Sequence, residues 1–82
     1  MTKQEEFVKQ IENVLNARIG AIIAKSILKN NLAKLDKNIH SLKKDDGRIL
    51  IENILKAISL FGTKDESGLI KAELEKSLNM LD

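Results

Sequence analysis

The strongest constraint in this sequence is an aliphatic stripe that recurs at helical spacing over residues 17–42. Its eight members are Ala17, Ala21, Ala24, Leu28, Leu32, Leu35, Ile39 and Leu42. Their average separation is about 3.6 residues, the period of an α-helix. One long helix accounts for the whole stripe. Because Asn30-Asn31 and Asp36-Lys37-Asn38 are weak helix formers, a helix followed by a short second turn is an alternative, and both versions stay open.

A second apolar stripe lies on roughly the opposite side of the first half of this segment. It consists of Ile19, Ile22, Ile23 and Ile27. A helix that is apolar on two faces has to be covered from both sides, by its own chain or by another. We therefore expect the second helix to be the longest and the most buried. The isoleucine stripe is the candidate interaction face, with a second copy of the chain as the expected partner.

The rest of the chain predicts three further helices. No proline is present, so Gly, Asn, Asp and Thr have to mark the helix ends. A capping box at Thr2–Glu5 begins a helix that runs to about Leu15, with Asn16 as its stop. The stretch 43–47 is predicted as a loop before a helix from about Arg48 to Phe61. Gly62 ends that helix, and a second capping box at 63–66 begins a fourth one that contains Gly68.

These elements predict an all-α fold, a small bundle of four principal helices that forms one domain over residues 1–82. An aliphatic core follows from the composition, since only Phe7 and Phe61 are aromatic. The predicted core residues are Leu28, Leu32, Ile51, Ile54, Leu55, Ile58, Leu74 and Leu78.

Composition excludes several classes of function. Without cysteine there is no disulfide scaffold, thiolate zinc site or cysteine nucleophile, and one histidine leaves little for metals. No Walker loop, dinucleotide glycine motif, EF-hand or nucleophile elbow is present. We predict no enzyme activity, no cofactor and no metal. No uncharged apolar run reaches 18 residues, and Glu5 and Glu6 stand near the start, so we expect a cytoplasmic protein that binds no membrane.

His40 is the only histidine, so it is the one candidate for carrying a phosphoryl group on an imidazole nitrogen. The stretch Ile39-His40-Ser41-Leu42-Lys43 resembles the phospho-accepting motif of histidine phosphotransfer domains, which are four-helix bundles. In that motif an exposed His is followed by a variable residue, Leu, Lys and Gly. The resemblance implies His40 as an alternative phospho-acceptor. Lys44 stands where that family has the small Gly that admits the partner's aspartate, so we expect no phosphoryl transfer to His40.

Residues 15–24 resemble small helical modules found alone or appended to prokaryotic signalling proteins such as kinases and response regulators. The resemblance rests on the sequence LNARIGAIIA, with its Ile-Gly turn before a tightly packed helix. It implies an interaction role, with a second signalling or regulatory protein as a further partner.

Basic residues are concentrated in the first half of the chain. Residues 1–44 carry nine basic and four acidic side chains, whereas residues 45–82 carry five and eight. Arg18, Lys25 and Lys29 form a candidate basic strip, which makes weak non-specific nucleic-acid binding a second alternative. Two arginines and no Tyr or Trp provide little for base readout, so we disfavour it. The preferred function is a protein interaction module that works by helix-to-helix contact and associates with itself.

Overall fold

The computed structural model describes residues 2–36, 38–60 and 64–81, with the side chains of 64–67 outside the description. Its helices are α1 (Lys3–Ile19), α2 (Ala21–Leu35), α3 (Lys44–Leu60) and α4 (Lys64–Ser77), with short 3₁₀ turns at Ile39–Ser41 and Leu78–Leu81. No strand occurs within these ranges. The predicted all-α bundle of four helices is therefore confirmed. Phe61, Gly62 and Thr63, which were expected to end α3 and to cap α4, lie outside the described residues.

The four helices form a ring in which α1 and α3 each pack against both α2 and α4. Gly47, near the start of α3, faces the side chains of Phe7 in α1 and Leu78 after α4. The starts of α1 and α3 and the end of α4 thus share one end of the bundle. The α1–α2 turn, the end of α3 and the start of α4 lie at the opposite end. Successive helices are antiparallel.

The second helix differs from the predicted long helix. It has 15 residues, fewer than the 17 of α1 or of α3. Gly20 separates it from α1 with a φ of 88°, and Asp36 ends it with a φ of 50°. Neither value belongs to a right-handed helix. The stripe from 17 to 42 is therefore divided among α1, α2 and a 3₁₀ turn, and α1 runs through Asn16 to Ile19.

The burial of α2 also differs from the expectation. Ala24, Ile27, Leu28 and Asn31 face the core, and the opposite side of the helix is exposed. More residues are buried in α3 than in α2. The second helix is thus buried along one face and is not the most buried of the four.

The core combines aliphatic side chains from all four helices around one aromatic ring. Of the eight predicted core residues six are buried, and Leu32 and Leu55 are partly buried against them. The core residues that were not on the predicted list are Phe7, Ile11, Val14, Leu15, Ala24, Ile27, Leu42, Leu50 and Ile70.

The predicted loop at 43–47 belongs largely to α3. The helix begins at Lys44, and both Asp46 and Gly47 are buried in its first turn. The backbone N–H of Lys43 donates to Asp46 Oδ2 over 3.0 Å, so this aspartate satisfies an amide just ahead of the helix. The Asp-Asp-Gly sequence that suggested a loop is the start of the helix.

Candidate interaction surfaces

The four isoleucines of the predicted interaction face lie in different environments. Ile22 and Ile23, at the start of α2, are 87% and 40% exposed. Ile27 is only 5% exposed within the core, and Ile19 is partly buried at the end of α1. The break at Gly20 moves Ile19 to another helix, and helical geometry places Ile27 about 140° around α2 from Ile22. Only Ile22 and Ile23 remain as surface candidates.

Two further exposed leucines lie at the same end of the bundle. Leu60, the last residue of α3, is 86% exposed, and Leu69, in the second turn of α4, is 56% exposed. Together with Ile22 and Ile23 they form a set that we call the apolar end. Sequence reasoning missed Leu60 and placed Leu69 among the apolar residues of its helix. The only signal for Leu60 was its absence from the predicted core positions.

The candidate basic strip is also divided by the break at Gly20. Arg18 lies on α1, and its Nη2 donates to Glu73 Oε1 of α4 over 3.1 Å. Its guanidinium therefore links two neighbouring helices. Lys25 and Lys29 are exposed on α2, where Lys34 joins them. Lys25 and Lys29 of the predicted strip therefore lie together on α2, whereas Arg18 pairs with an acidic residue of α4.

Charge is distributed unevenly among the helices. The sequence of α1 contains three basic and three acidic residues, as does that of α3, and α4 has three and four. The sequence of α2 has three lysines and no acid. The formal net charge of the chain is +2, so the positive charge is concentrated on α2.

His40 lies on the 3₁₀ turn between α2 and α3 rather than on a principal helix. Its side chain is exposed, while Leu42 is buried. The backbone N–H of His40 donates to Asn38 Oδ1 over 3.0 Å, which caps the turn. The long helix that would have presented His40 on its face is interrupted at Asp36 and does not resume before Lys44.

The imidazole of His40 also acts on the capping box of α1. Thr2 donates to Glu5 through its backbone N–H and through its hydroxyl, and these hydrogen bonds lower the pKa of Glu5 below 4.5. The charge of His40 lowers that pKa further. Gln4 Nε2 donates a hydrogen bond of 3.4 Å to the Leu42 carbonyl, which holds the connection between α2 and α3 beside the start of α1.

A groove with a volume of about 600 Å³ lies between α3 and α4. Its charged rim carries both signs, with Glu52 and Glu75 among Arg48, Lys56 and Lys71. Of the apolar residues that line it, Ile51 and Leu78 are buried and Leu55 is partly buried. A groove whose rim carries both signs of charge favours no particular class of ligand.

Neither a cluster of metal-binding side chains nor a membrane-spanning helix occurs within residues 2–36, 38–60 and 64–81. These residues contain no group of three or more His, Cys, Asp or Glu side chains placed to hold a metal ion. None of their helices is long and apolar enough to cross a membrane.

Comparisons with protein-family models, with curated proteins and with solved structures found no match to this chain.

Proposed function

We propose that the protein is a small cytoplasmic interaction module that acts by helix-to-helix contact and associates with a second copy through the apolar end. The exposure of Ile22 and Leu60, each above 85%, is the observation that carries the proposal. Single exposed aliphatic residues are common on protein surfaces. Here four of them, from three helices, lie at one end of a small bundle. The resemblance of residues 15–24 to modules of signalling proteins supports the same class of function.

The size of the apolar end sets the strength of the expected association. The two shorter dimensions of the bundle are 22 and 20 Å, so one end offers about 440 Å². Stable interfaces bury about 800 Å² per partner. Burying Ile22 and Leu60 contributes roughly 3–6 kcal/mol, against an association cost of roughly 4–15 kcal/mol. The expected dimer is therefore weak and depends on concentration.

The test is the molar mass of the wild-type chain in solution between about 10 μM and 1 mM, a range that covers weak association. We expect the mass to rise toward that of a dimer. Ile22→Glu and Leu60→Glu should each give a folded monomer, because a charge replaces an exposed aliphatic side chain in the contact. Ile49→Glu is the matched control, since Ile49 is also exposed but lies near the other end of the bundle.

Far-UV circular dichroism of each variant separates a lost contact from a lost fold. A wild-type chain that stays monomeric at about 1 mM would show that the apolar end binds no second copy. The same conclusion would follow if Ile49→Glu lowered the mass as much as Leu60→Glu.

A further inference from the structure

The outward side of α2 carries positive charge that no described side chain neutralises. Lys25, Lys29 and Lys34 are all exposed, and none forms an ion pair with a described residue. Arg18 pairs with Glu73 and Lys71 pairs with Glu75, both away from α2. A charged patch without an internal partner is available to an external one.

The lysines are arranged along both sides of the exposed face. Lys25 and Lys29 are one turn apart on one flank, and Asn30 and Lys34 are one turn apart on the other. Ser26 and Ala33 lie between the flanks, and both are exposed. A second helix lying along α2 at a packing distance of about 8–10 Å would have lysines on both of its sides. We call these six residues the lysine face.

We propose that the lysine face binds an acidic amphipathic helix of another protein. The proposal extends the interaction role proposed above but does not depend on self-association through the apolar end. Acidic side chains one turn apart on both edges of the partner helix would pair with the lysines, as charges at flanking positions do in coiled coils. The partner residues facing Ser26 and Ala33 would be small or aliphatic.

Charge argues against a second copy at this face. Two α2 helices packed together would bring three lysines against three, and α1 and α3 have no net charge to offer. The excess of one acid in the sequence of α4 does not match three lysines. Nucleic acid is disfavoured because the face holds no arginine and no aromatic side chain, which leaves phosphate attraction as its only contribution.

The test uses the full chain and a synthetic helical peptide of about three heptads, with Ala and Leu at the a and d positions and Glu at e and g. A control peptide has Gln in place of every Glu. Binding is measured at about 0.15 M salt, where long-range attraction is screened. Amide chemical shifts of the labelled chain map the contact. We expect shifts confined to α2 and binding at least about tenfold tighter for the Glu peptide than for the Gln peptide.

Two double variants with the same net charge locate the site. Lys29→Glu with Lys34→Glu should weaken binding of the Glu peptide by at least about tenfold. Lys9→Glu with Lys56→Glu changes exposed lysines on α1 and α3 by the same total charge and should leave binding unchanged.

Several results would overturn the proposal. Equal weakening in the two double variants would mean that attraction is general rather than local, and shifts on α3 and α4 would place the contact in another groove. Tighter binding of a single-stranded oligonucleotide than of the Glu peptide, on the same face, would assign the face to nucleic acid. Ile22 and Leu60 are unchanged in both double variants, so a difference in binding between these variants does not arise from the apolar end.

Discussion

Two glycines in the helices differ in what surrounds them. A Cβ on Gly47 would lie 2.8 Å from Leu81 Cδ1, 2.9 Å from Leu78 Cδ2 and 3.0 Å from Phe7 Cζ, whereas a Cβ on Gly68 would meet nothing within 4 Å. Any side chain at 47 would therefore force the ends of these three side chains to shift. Nothing in the packing requires a glycine at 68.

This difference predicts opposite signs for the same substitution. Gly68→Ala should raise the free energy of unfolding by about 1 kcal/mol, because alanine favours the helix. Gly47→Ala gains the same propensity but overpacks the core at a cost of about 1–3 kcal/mol, so we expect a net loss of about 1 kcal/mol. Denaturant unfolding of both variants measures the two signs. A stabilising Gly47→Ala would mean that the leucine side chains move aside freely.

The capping box at the start of α1 makes a prediction about pH. Since the pKa of Glu5 is lowered, its ionised form favours the folded state. This contribution is complete above the ordinary pKa of 4.5 and is lost as the pH falls through the lower value of the folded chain. Thr2→Ala removes the hydroxyl but keeps the backbone N–H, so the pKa of Glu5 should rise only part of the way to 4.5.

Carboxyl chemical shifts followed through a pH titration measure the pKa of Glu5 directly. Thr2→Ser keeps the hydroxyl and is the matched control, in which the pKa should remain low. If Thr2→Ala left the pKa of Glu5 unchanged, the hydroxyl would not contribute to the shift.

At the scale of the elements, the sequence predicted the number of helices and most core positions but misplaced the first break. Ala17 and Ala21 are four residues apart, so a one-residue interruption at Gly20 leaves the helical spacing intact. Asn16 was predicted to end the first helix, yet it lies inside α1. Its Oδ1 is buried and has no hydrogen-bond partner among the described residues. The spacing of apolar residues predicts a helical period, but it does not reveal a change in helix direction between two of those residues.

The turn at Gly20 predicts a conformational cost for any L side chain there. Its φ of 88° and ψ of 152° are close to a region that is accessible essentially to glycine alone. Gly20→Ala should lower the free energy of unfolding by about 1–3 kcal/mol, although no atom lies within 4 Å of the added Cβ.

Chemical synthesis of the 82-residue chain allows a direct control for this conformational effect. D-alanine at position 20 carries the same methyl group but favours positive φ, so it should retain the stability of the glycine chain. Equal stability of the L-alanine and glycine chains would contradict the role assigned to this turn.

At the scale of the whole molecule, the sequence predicted that aliphatic side chains would be exposed but did not predict which ones. Ile19, Ile22, Ile23 and Ile27 were predicted to form one interaction face, but their pattern does not say which of them the other helices cover. Ile27 is in the core, while Leu60 of another helix joins Ile22 at the exposed end. That division depends on which helices meet, and on where each one ends. The excess of basic residues in the first half of the sequence is likewise located only by the structure, in which α2 carries three lysines and no acid.

The completeness of the core within one chain makes a prediction about folding. The buried residues come from all four helices, and each helix packs against its neighbours in sequence. Helical bundles dominated by such local contacts fold in microseconds to milliseconds. Without proline or cysteine, the chain has no prolyl isomerisation or disulfide step to slow it. We expect a single refolding phase on this timescale.

Rapid-mixing or temperature-jump refolding at several protein concentrations checks this expectation. The rate should not change with concentration, because the apolar end adds contacts only after each core has formed. Ile54→Ala, at a fully buried site, should reduce the free energy of unfolding by about 2–5 kcal/mol and shift the kinetics at every concentration alike. A refolding rate that rises with protein concentration would show instead that the second copy participates in forming the fold, and that association through the apolar end is not a later step.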